Sequence, residues 1–444
     1  MTETLPQARR TATRALVMPQ AAPSQASSAS PASPASPAGL TTSRGAALYI
    51  GALLGPGLLL LPGLAAAEAG PASVLAWAGL LVLSGLFAVV FGSLGRSFPS
   101  AGGVIGYVRA GLGARAGQVA GWSFLAGVVA GAPVVCLIGA GYVTELTGGG
   151  TVARALIGAA LLVAVLLLAA GGLRASAAAQ VLLVGLLLGV VVVAVAGSAH
   201  LARAANWAPF APHGWQAIGH AAATLIFSFV GWEAVAPLTT RFADPARQLP
   251  RVIAIALAVT SVLYLGLAVA TVSVLGNGTG TSAPLAALLR DAMGPVGTAA
   301  AAVAAVVLTL GAVNAYVGGA AEMAVELTRR TTGGPVAPGA RPAFRFLAVI
   351  ALTGLALISL YGAGLASPAA LVAIPTALFL VVYLGCMTSA VRILRGPARW
   401  AAAPATLFVA VVLVYCGWSL LAPAAVIIAV CLVPFAARSG KVPH

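Results

Sequence analysis

The chain has 444 residues, of which 61% are hydrophobic and only 7% are charged, and its mean hydropathy is +1.05. Soluble domains carry roughly 25% charged residues, so the composition excludes a soluble globular protein and predicts an integral membrane protein. The formal net charge is +15, as in many nucleic-acid-binding proteins. The basic residues are spaced like those of membrane loops, however, so we expect a lipid bilayer and no nucleic-acid partner.

Residues 1–43 contain the tract "SQASSASPASPASPAG" together with scattered arginines. This Ser/Pro/Ala-rich composition is typical of disorder, and the segment has no apolar stretch long enough for a signal peptide. We therefore expect a disordered cytoplasmic tail over 1–43, a transmembrane domain over 44–437 and a short cytoplasmic tail over 438–444.

Apolar runs of about 20 residues, long enough to cross a bilayer core as a helix, recur along the rest of the chain. They predict an all-α polytopic membrane protein with about twelve transmembrane helices. The predicted spans are 45–69, 73–95, 117–145, 152–171, 177–197, 217–240, 252–276, 296–327, 344–362, 368–391, 401–419 and 421–437. Only "SLLAPA" lies between the last two runs, so eleven spans are the alternative.

The positions of the Lys and Arg residues predict the orientation of the bundle. Short cytoplasmic loops accumulate basic residues, whereas outer loops do not. With the N-terminus inside, only Arg154, Arg203 and Arg290 of the 23 Lys and Arg residues fall on the outer side. An imbalance of this size is hard to obtain from a wrong number of spans, so both termini are predicted to be cytoplasmic.

Two spans contain helix breakers near their middle. The first span has Gly55-Pro56-Gly57 within "GALLGPGLLLLPG" (51–63), and the sixth has Ser228 to Gly231 within "FSFVGWEAVAP" (227–237). Glycine costs about 1 kcal/mol and proline about 3 kcal/mol in a helix interior. Backbone groups freed at this depth are tolerated only where they are buried in protein or line a cavity. Both breaks therefore predict a cavity.

The first and sixth spans occupy the same place in two successive groups of five. Interrupted helices at matching positions indicate a transporter site near the membrane midplane. The free N–H groups of a broken helix suit an anion and its free carbonyls suit a cation, and a zwitterionic amino acid needs both. The alternative for either break alone is close helix packing, because small residues at GxxxG spacing let membrane helices approach.

Four motifs resemble the amino acid–polyamine–organocation (APC) superfamily of permeases, and within it the chain is most similar to bacterial neutral amino acid exporters. They are "GPGLLLLP" (55–62), "FPSAGGVIGYVRAGLG" (98–113), "FSFVGWEA" (227–234) and "FADPARQLPR" (242–251). The resemblance implies a bacterial inner-membrane protein with the LeuT fold, in which two inverted repeats of five helices contain discontinuous helices 1 and 6. The repeats would cover about 45–197 and 217–391, followed by two extra helices over about 401–437.

The resemblance also implies where a substrate would bind. Amides around Gly55 and Gly57 would receive its carboxylate, and carbonyls of the sixth span would receive its ammonium group. The candidate substrate-binding residues are Gly55, Pro56, Gly57, Ile226, Phe227, Ser228, Phe229, Gly231, Trp232 and Asn314. Pro56 departs from the family pattern because proline has no N–H to donate. Asn314 has the alternative role of an ordinary hydrogen bond between helices.

Glu233 lies inside the sixth span, in a chain with only eight acidic residues. A carboxylate within the membrane costs a few kcal/mol and indicates a functional site by default. We expect Glu233 to be the coupling residue of a proton-coupled transporter. The alternative is a structural Glu233 that ties the broken helix to a neighbour.

The sequence shows no Walker phosphate loop, nucleophile elbow or HExxH motif, so no enzyme is expected. The histidines lack a metal-ligand spacing, and neither a cofactor nor a metal is expected. The stretches Trp122–Phe124 and Ile374–Phe379 of spans three and ten offer no charge to pair with a substrate. We therefore expect secondary transport of small neutral amino acids by alternating access, and the resemblance favours proton-coupled export. The alternatives are proton-coupled uptake and a non-transporting nutrient sensor or scaffold, which Pro56 would favour.

Overall fold

The computed structural model describes residues 40–54, 57–98, 103–171, 177–234, 242, 244–276, 283–332 and 344–432. Within these ranges the chain forms fifteen α-helices. They are α1 (Thr42–Leu53), α2 (Gly57–Ala69), α3 (Ser73–Ser97), α4 (Val104–Leu112), α5 (Ala114–Thr147), α6 (Thr151–Ala170), α7 (Ala177–Ser198), α8 (Ala217–Leu225), α9 (Pro245–Ala270), α10 (Pro284–Met293), α11 (Pro295–Thr332), α12 (Phe344–Gly362), α13 (Pro368–Ile393), α14 (Pro397–Val414) and α15 (Leu421–Leu432).

The helices account for all twelve predicted spans. Among the described residues, nine segments are long and apolar enough to cross a bilayer, and one of them, Gly57–Ser97, holds both α2 and α3. Shorter apolar segments at Ala217–Phe229 and Gly417–Leu432 supply the sixth and twelfth spans. The final hairpin is thus two helices, and the predicted all-α membrane fold is confirmed.

Both predicted helix breaks are present. The first span is divided into α1, which ends at Leu53, and α2, which begins at Gly57. In the sixth span, α8 passes at Leu225 into a 3₁₀ turn, and the chain then becomes extended at Val230. Gly231 has φ +140°, a backbone conformation that residues with a Cβ rarely adopt, so the glycine itself defines the second break.

Helix α5 lies at the centre of the bundle and packs against α4, α6, α11, α12 and α13. Its most apolar stretch is 89% buried, whereas no other long span exceeds 67%. Glycines along α5 explain this close packing, since a Cβ on Gly121 would lie 2.6 Å from Leu327 and one on Gly139 would lie 2.5 Å from Thr309. Small residues at helix interfaces allow such approach within membranes.

Two short helices, α4 and α10, were not predicted from the sequence. Both are too short to cross a bilayer and carry apolar residues on one face, so they contribute no span-length signal. In α4, Val104, Ile105, Tyr107 and Val108 are buried while Arg109 is exposed.

The domain boundaries predicted from the sequence stay predictions. Helix α1 begins at Thr42, and the side chain of Thr41 accepts a hydrogen bond from the N–H of Arg44 as its N-cap. The first described helix therefore starts two residues before the expected residue 44. Most of the predicted N-terminal tail and all of 438–444 lie outside the described residues.

We predict that Gly111→Ala destabilises the protein, because α4 contacts α13 at this point. A Cβ on Gly111 would lie 2.6 Å from the Cα of Ser389, so the two helices would have to separate. Overpacking of this kind costs about 1–3 kcal/mol. The thermal-unfolding midpoint in detergent should fall for Gly111→Ala and not for Gly189→Ala, whose added methyl meets nothing within 4 Å. Equal midpoints for the two variants would contradict the predicted contact.

Candidate functional site

A pocket with about 490 Å³ of empty space, part of it open, lies where the two helix breaks meet α5, α11 and α13. The described residues that line it are Gly57, Gly127, Val128, Gly131, Ala132, Val135, Phe227, Val230, Ala312, Val313, Tyr316 and Phe379. None of these side chains is charged, and only Tyr316 carries a polar group. The pocket is therefore suited to an uncharged, apolar portion of a ligand.

The two breaks touch each other at Gly57 and Ser228. A Cβ on Gly57 would lie 2.7 Å from the Oγ atom of Ser228, so only glycine permits this approach. The Ser228 side chain is buried, and its hydroxyl has no hydrogen-bond partner among the described residues. Gly57 is also the first residue of α2, where the N–H groups of a first helical turn lack partners within the helix. Unused donors therefore lie together at this point.

Tyr264 of α9 contacts both breaks through its hydroxyl group. Its hydroxyl oxygen lies 2.7 Å from the carbonyl oxygen of Leu53 and 2.6 Å from that of Ser228. These carbonyls belong to the first and sixth spans respectively. A tyrosine hydroxyl has one hydrogen, so it donates to one of the two carbonyls at a time. Tyr264 is fully buried, and both breaks are held by this one side chain.

Other tyrosines donate to backbone carbonyls of the same broken spans. Tyr49 donates to Trp232 at 3.1 Å, and Tyr142 donates to Leu59 at 2.6 Å. The hydroxyl of Tyr316 lies 3.4 Å from the carbonyl oxygen of Val230 at the pocket wall. Together with Tyr264 and Tyr383, five of the eight tyrosines in the chain serve these two spans.

This set of tyrosines was not predicted from the sequence. The signal that could have indicated it is the presence of phenolic hydroxyls inside apolar spans, where a buried Tyr usually has a hydrogen-bond partner. The identity of each partner comes only from the structure.

Glu233 lies beside Tyr383 of α13. The Tyr383 hydroxyl donates to Oε2 of Glu233, and the N–H of Gly231 donates to the same oxygen at 2.9 Å. The N–H groups of Gly231 and Trp232 also lie 3.1 and 3.2 Å from the Tyr383 oxygen, which can accept from them. Glu233 does not line the central pocket. Its direct partners are the backbone of the second break and one neighbouring helix.

The predicted site residues do not all lie at the pocket. Gly57 and Phe227 line the pocket, and Ile226 and Phe229 line a smaller apolar cavity beside it. The Trp232 side chain is buried away from the pocket, where its Nε1 donates to Ser84 at 2.8 Å. Gly55 and Pro56 lie outside the described residues.

Helices α5 and α11 contribute other residues than those named from the sequence. Asn314 of α11 does not line the pocket, although Ala312, Val313 and Tyr316 of that helix do. On α5 the wall lies at 127–135, not at Trp122–Phe124, because Trp122 is on an outward face and is 41% exposed.

Two further polar contacts link helices away from the pocket. The first involves Glu68, near the C-terminal end of α2. Thr224 of α8 donates to both carboxylate oxygens of Glu68, at 2.8 and 3.1 Å. This contact connects the second half of the first span to the first half of the sixth. Glu145 at the end of α5 forms an ion pair with Arg290 of α10, with a nitrogen-to-oxygen distance of 3.1 Å.

A bundle of apolar helices whose first and sixth spans are interrupted around a central pocket defines a membrane transporter of the LeuT type. The fold is similar to that of MhsT, whose crystal structure was determined in complex with L-phenylalanine. The TM-score is 0.56 at 17% identity, over 89% of this chain and 100% of MhsT.

Residues 40–440 match the family described as "Amino acid permease", and the chain belongs to this family of the APC superfamily. It is 31% identical to the uncharacterized amino acid permease YecA of Bacillus subtilis over 80% of this chain and 86% of YecA. It is 32% identical to the L-methionine/branched-chain amino acid exporter YjeH of Escherichia coli over 46% of this chain and 48% of YjeH. The protein is thus a multi-pass amino acid transporter.

We predict that Tyr383→Phe destabilises the protein more than Tyr415→Phe does. The first change removes the hydroxyl that contacts the N–H groups of Gly231 and Trp232, and Trp232 then loses its described N–H partner. A buried donor left without a partner costs about 1–3 kcal/mol. Tyr415 is the matched control because its ring packs edge-to-face with that of His220 and would keep that contact as Phe. Thermal unfolding in detergent measures both, and equal midpoints would contradict the role given to Tyr383.

Proposed function

We propose that the protein transports small neutral amino acids with apolar or branched side chains, by alternating access at the central pocket. The observation that carries this proposal is the contrast between the parts of the pocket. Unused donors lie at Gly57 and, beside the pocket, at Ser228, whereas the described walls on α5, α11 and α13 are apolar apart from Tyr316. An amino acid with an apolar side chain has the same division between a polar and an apolar end.

The carboxylate of the substrate would bind at the start of α2. Backbone N–H groups and the positive end of the helix dipole favour an anion at a helix N-terminus. The buried, unpartnered hydroxyl of Ser228 lies next to Gly57 and supplies a further donor. The ammonium group would bind to backbone carbonyls of the 3₁₀ turn at Ile226–Phe229, which faces the pocket through Phe227.

Proton coupling is assigned to Glu233, and export is the proposed direction. Protonation of Glu233 would remove its negative charge from the N–H of Gly231 and the hydroxyl of Tyr383, which both donate to it. These groups hold the second break, so the proton would change the stability of one conformation of the sixth span. The similarity to a bacterial exporter of methionine and branched-chain amino acids supports the direction. Both termini would be cytoplasmic, as the distribution of basic residues favours.

The transport proposal is tested by reconstituting the purified protein in liposomes loaded with radiolabelled methionine or leucine. We expect release that increases when a pH gradient is imposed. Glu233→Gln should abolish the response to the gradient, because glutamine keeps an oxygen for the N–H of Gly231 but cannot take up the proton. Glu145→Gln is the matched control, since that carboxylate pairs with Arg290 outside the pocket.

Three other results would change the proposal. A gradient response that persists in Glu233→Gln would make this residue structural and contradict its coupling role. Accumulation into the vesicles driven by the opposite gradient alone would favour uptake. The absence of flux with every amino acid of a broad panel, in vesicles that contain folded protein, would contradict transport and favour a sensor.

We predict that Ser228→Ala weakens the binding of leucine by roughly 10-fold or more, since a hydrogen bond to a charged group contributes about 1.5–3 kcal/mol. Ser123→Ala is the matched control, because Ser123 is also buried with an unpartnered hydroxyl but is not among the atoms nearest to Gly57, as Ser228 is. Calorimetric titration in detergent measures both. Leucine methyl ester lacks the anionic carboxylate and should bind the wild type more weakly than leucine does. Its affinity should be the same for the wild type and for Ser228→Ala. An equal loss for the ester would contradict carboxylate recognition by Ser228.

A further inference from the structure

One face of α5 forms a continuous wall of the pocket. The lining residues on this helix are Gly127, Val128, Gly131, Ala132 and Val135. Their spacing of one, three, one and three residues places them on a single helical face. Phe227 and Phe379 lie across from this wall, with ring centroids 6.5 Å apart. Two positions of this wall, Gly127 and Gly131, have no side chain.

The two glycines differ in what surrounds them. A Cβ on Gly127 would lie 3.0 Å from the ring of Phe379, so this ring already fills the space over Gly127. A Cβ on Gly131 would lie 3.6 Å from Pro375 and 3.8 Å from the ring of Phe227, which are ordinary contact distances. A methyl group at Gly131 would therefore displace no protein atom, and it would occupy empty volume inside the pocket.

We propose that Gly131 is a specificity-determining residue that sets the largest substrate side chain the pocket admits, which is a branched or long apolar side chain such as that of leucine or methionine. The inference rests on the proposed function. Pro375, Phe227 and the neighbouring valines offer only apolar contacts around this space. A short side chain such as that of alanine has no γ or δ atoms to occupy it. The space above Gly131 therefore separates large apolar substrates from small ones.

The test is a comparison of substrates in proteoliposomes that contain wild type, Gly131→Ala or Gly131→Val. We expect the transport efficiency for leucine and methionine to fall by about 10-fold or more relative to that for alanine, since one methylene in an apolar pocket changes discrimination by about 10–200-fold. The larger variant should show the larger change. Gly189→Ala is the matched control, because it adds the same methyl to an exposed position of α7 where nothing lies within 4 Å.

A fall by the same factor for leucine, methionine and alanine would overturn the inference, as would no change for any of them. If the Gly131 variants do not fold, Val135→Ala tests the same wall by enlarging it, and it should shift the preference towards larger side chains. An unchanged preference in Val135→Ala would then overturn the inference. Wild-type protein that transports no amino acid would instead contradict the proposed function, so the two failures are distinguishable.

Discussion

Backbone hydrogen bonding at the two helix breaks is the constraint on which the rest of the site depends. A peptide group that leaves a helix inside a bilayer has no water to bond with, and each unsatisfied group costs several kcal/mol. The protein meets this requirement with tyrosines from surrounding helices. Tyr264 bonds to both breaks, and Tyr383 contacts the N–H groups of Gly231 and Trp232. The breaks are stable because neighbouring helices supply the missing partners.

This solution leaves a small number of polar groups for a ligand. Most buried polar groups are paired, so each exception calls for an explanation. The hydroxyl of Ser228 is such an exception beside the pocket, and it lies against the first residue of α2. Of the tyrosines that serve the breaks, Tyr316 is the one among the described pocket-lining residues, and its hydroxyl donates towards Val230. This residue thus contacts the second break and forms part of the cavity wall.

The sequence predicted the number of spans and both breaks because each leaves a local signal. Apolar runs define spans, and Gly57 and Gly231 are required by a close approach and by a positive φ. The partners of the breaks leave no such signal. Tyr264 is 211 residues from Leu53, and Tyr142 is 83 residues from Leu59. Only packing decides which hydroxyl meets which carbonyl. The pocket wall at Gly131 also depends on packing between helices, so it could not be predicted from the sequence.

The position of Glu233 reconciles the two roles that its sequence context left open. It accepts from the N–H of Gly231 and from Tyr383, so it stabilises the break in the folded state. Those contacts are charge-assisted and depend on its ionisation, because a protonated carboxyl group accepts more weakly and becomes a donor. If Glu233 is the coupling residue, protonation would act on the sixth span through these same contacts. The structural role would then be the physical basis of the proposed coupling role.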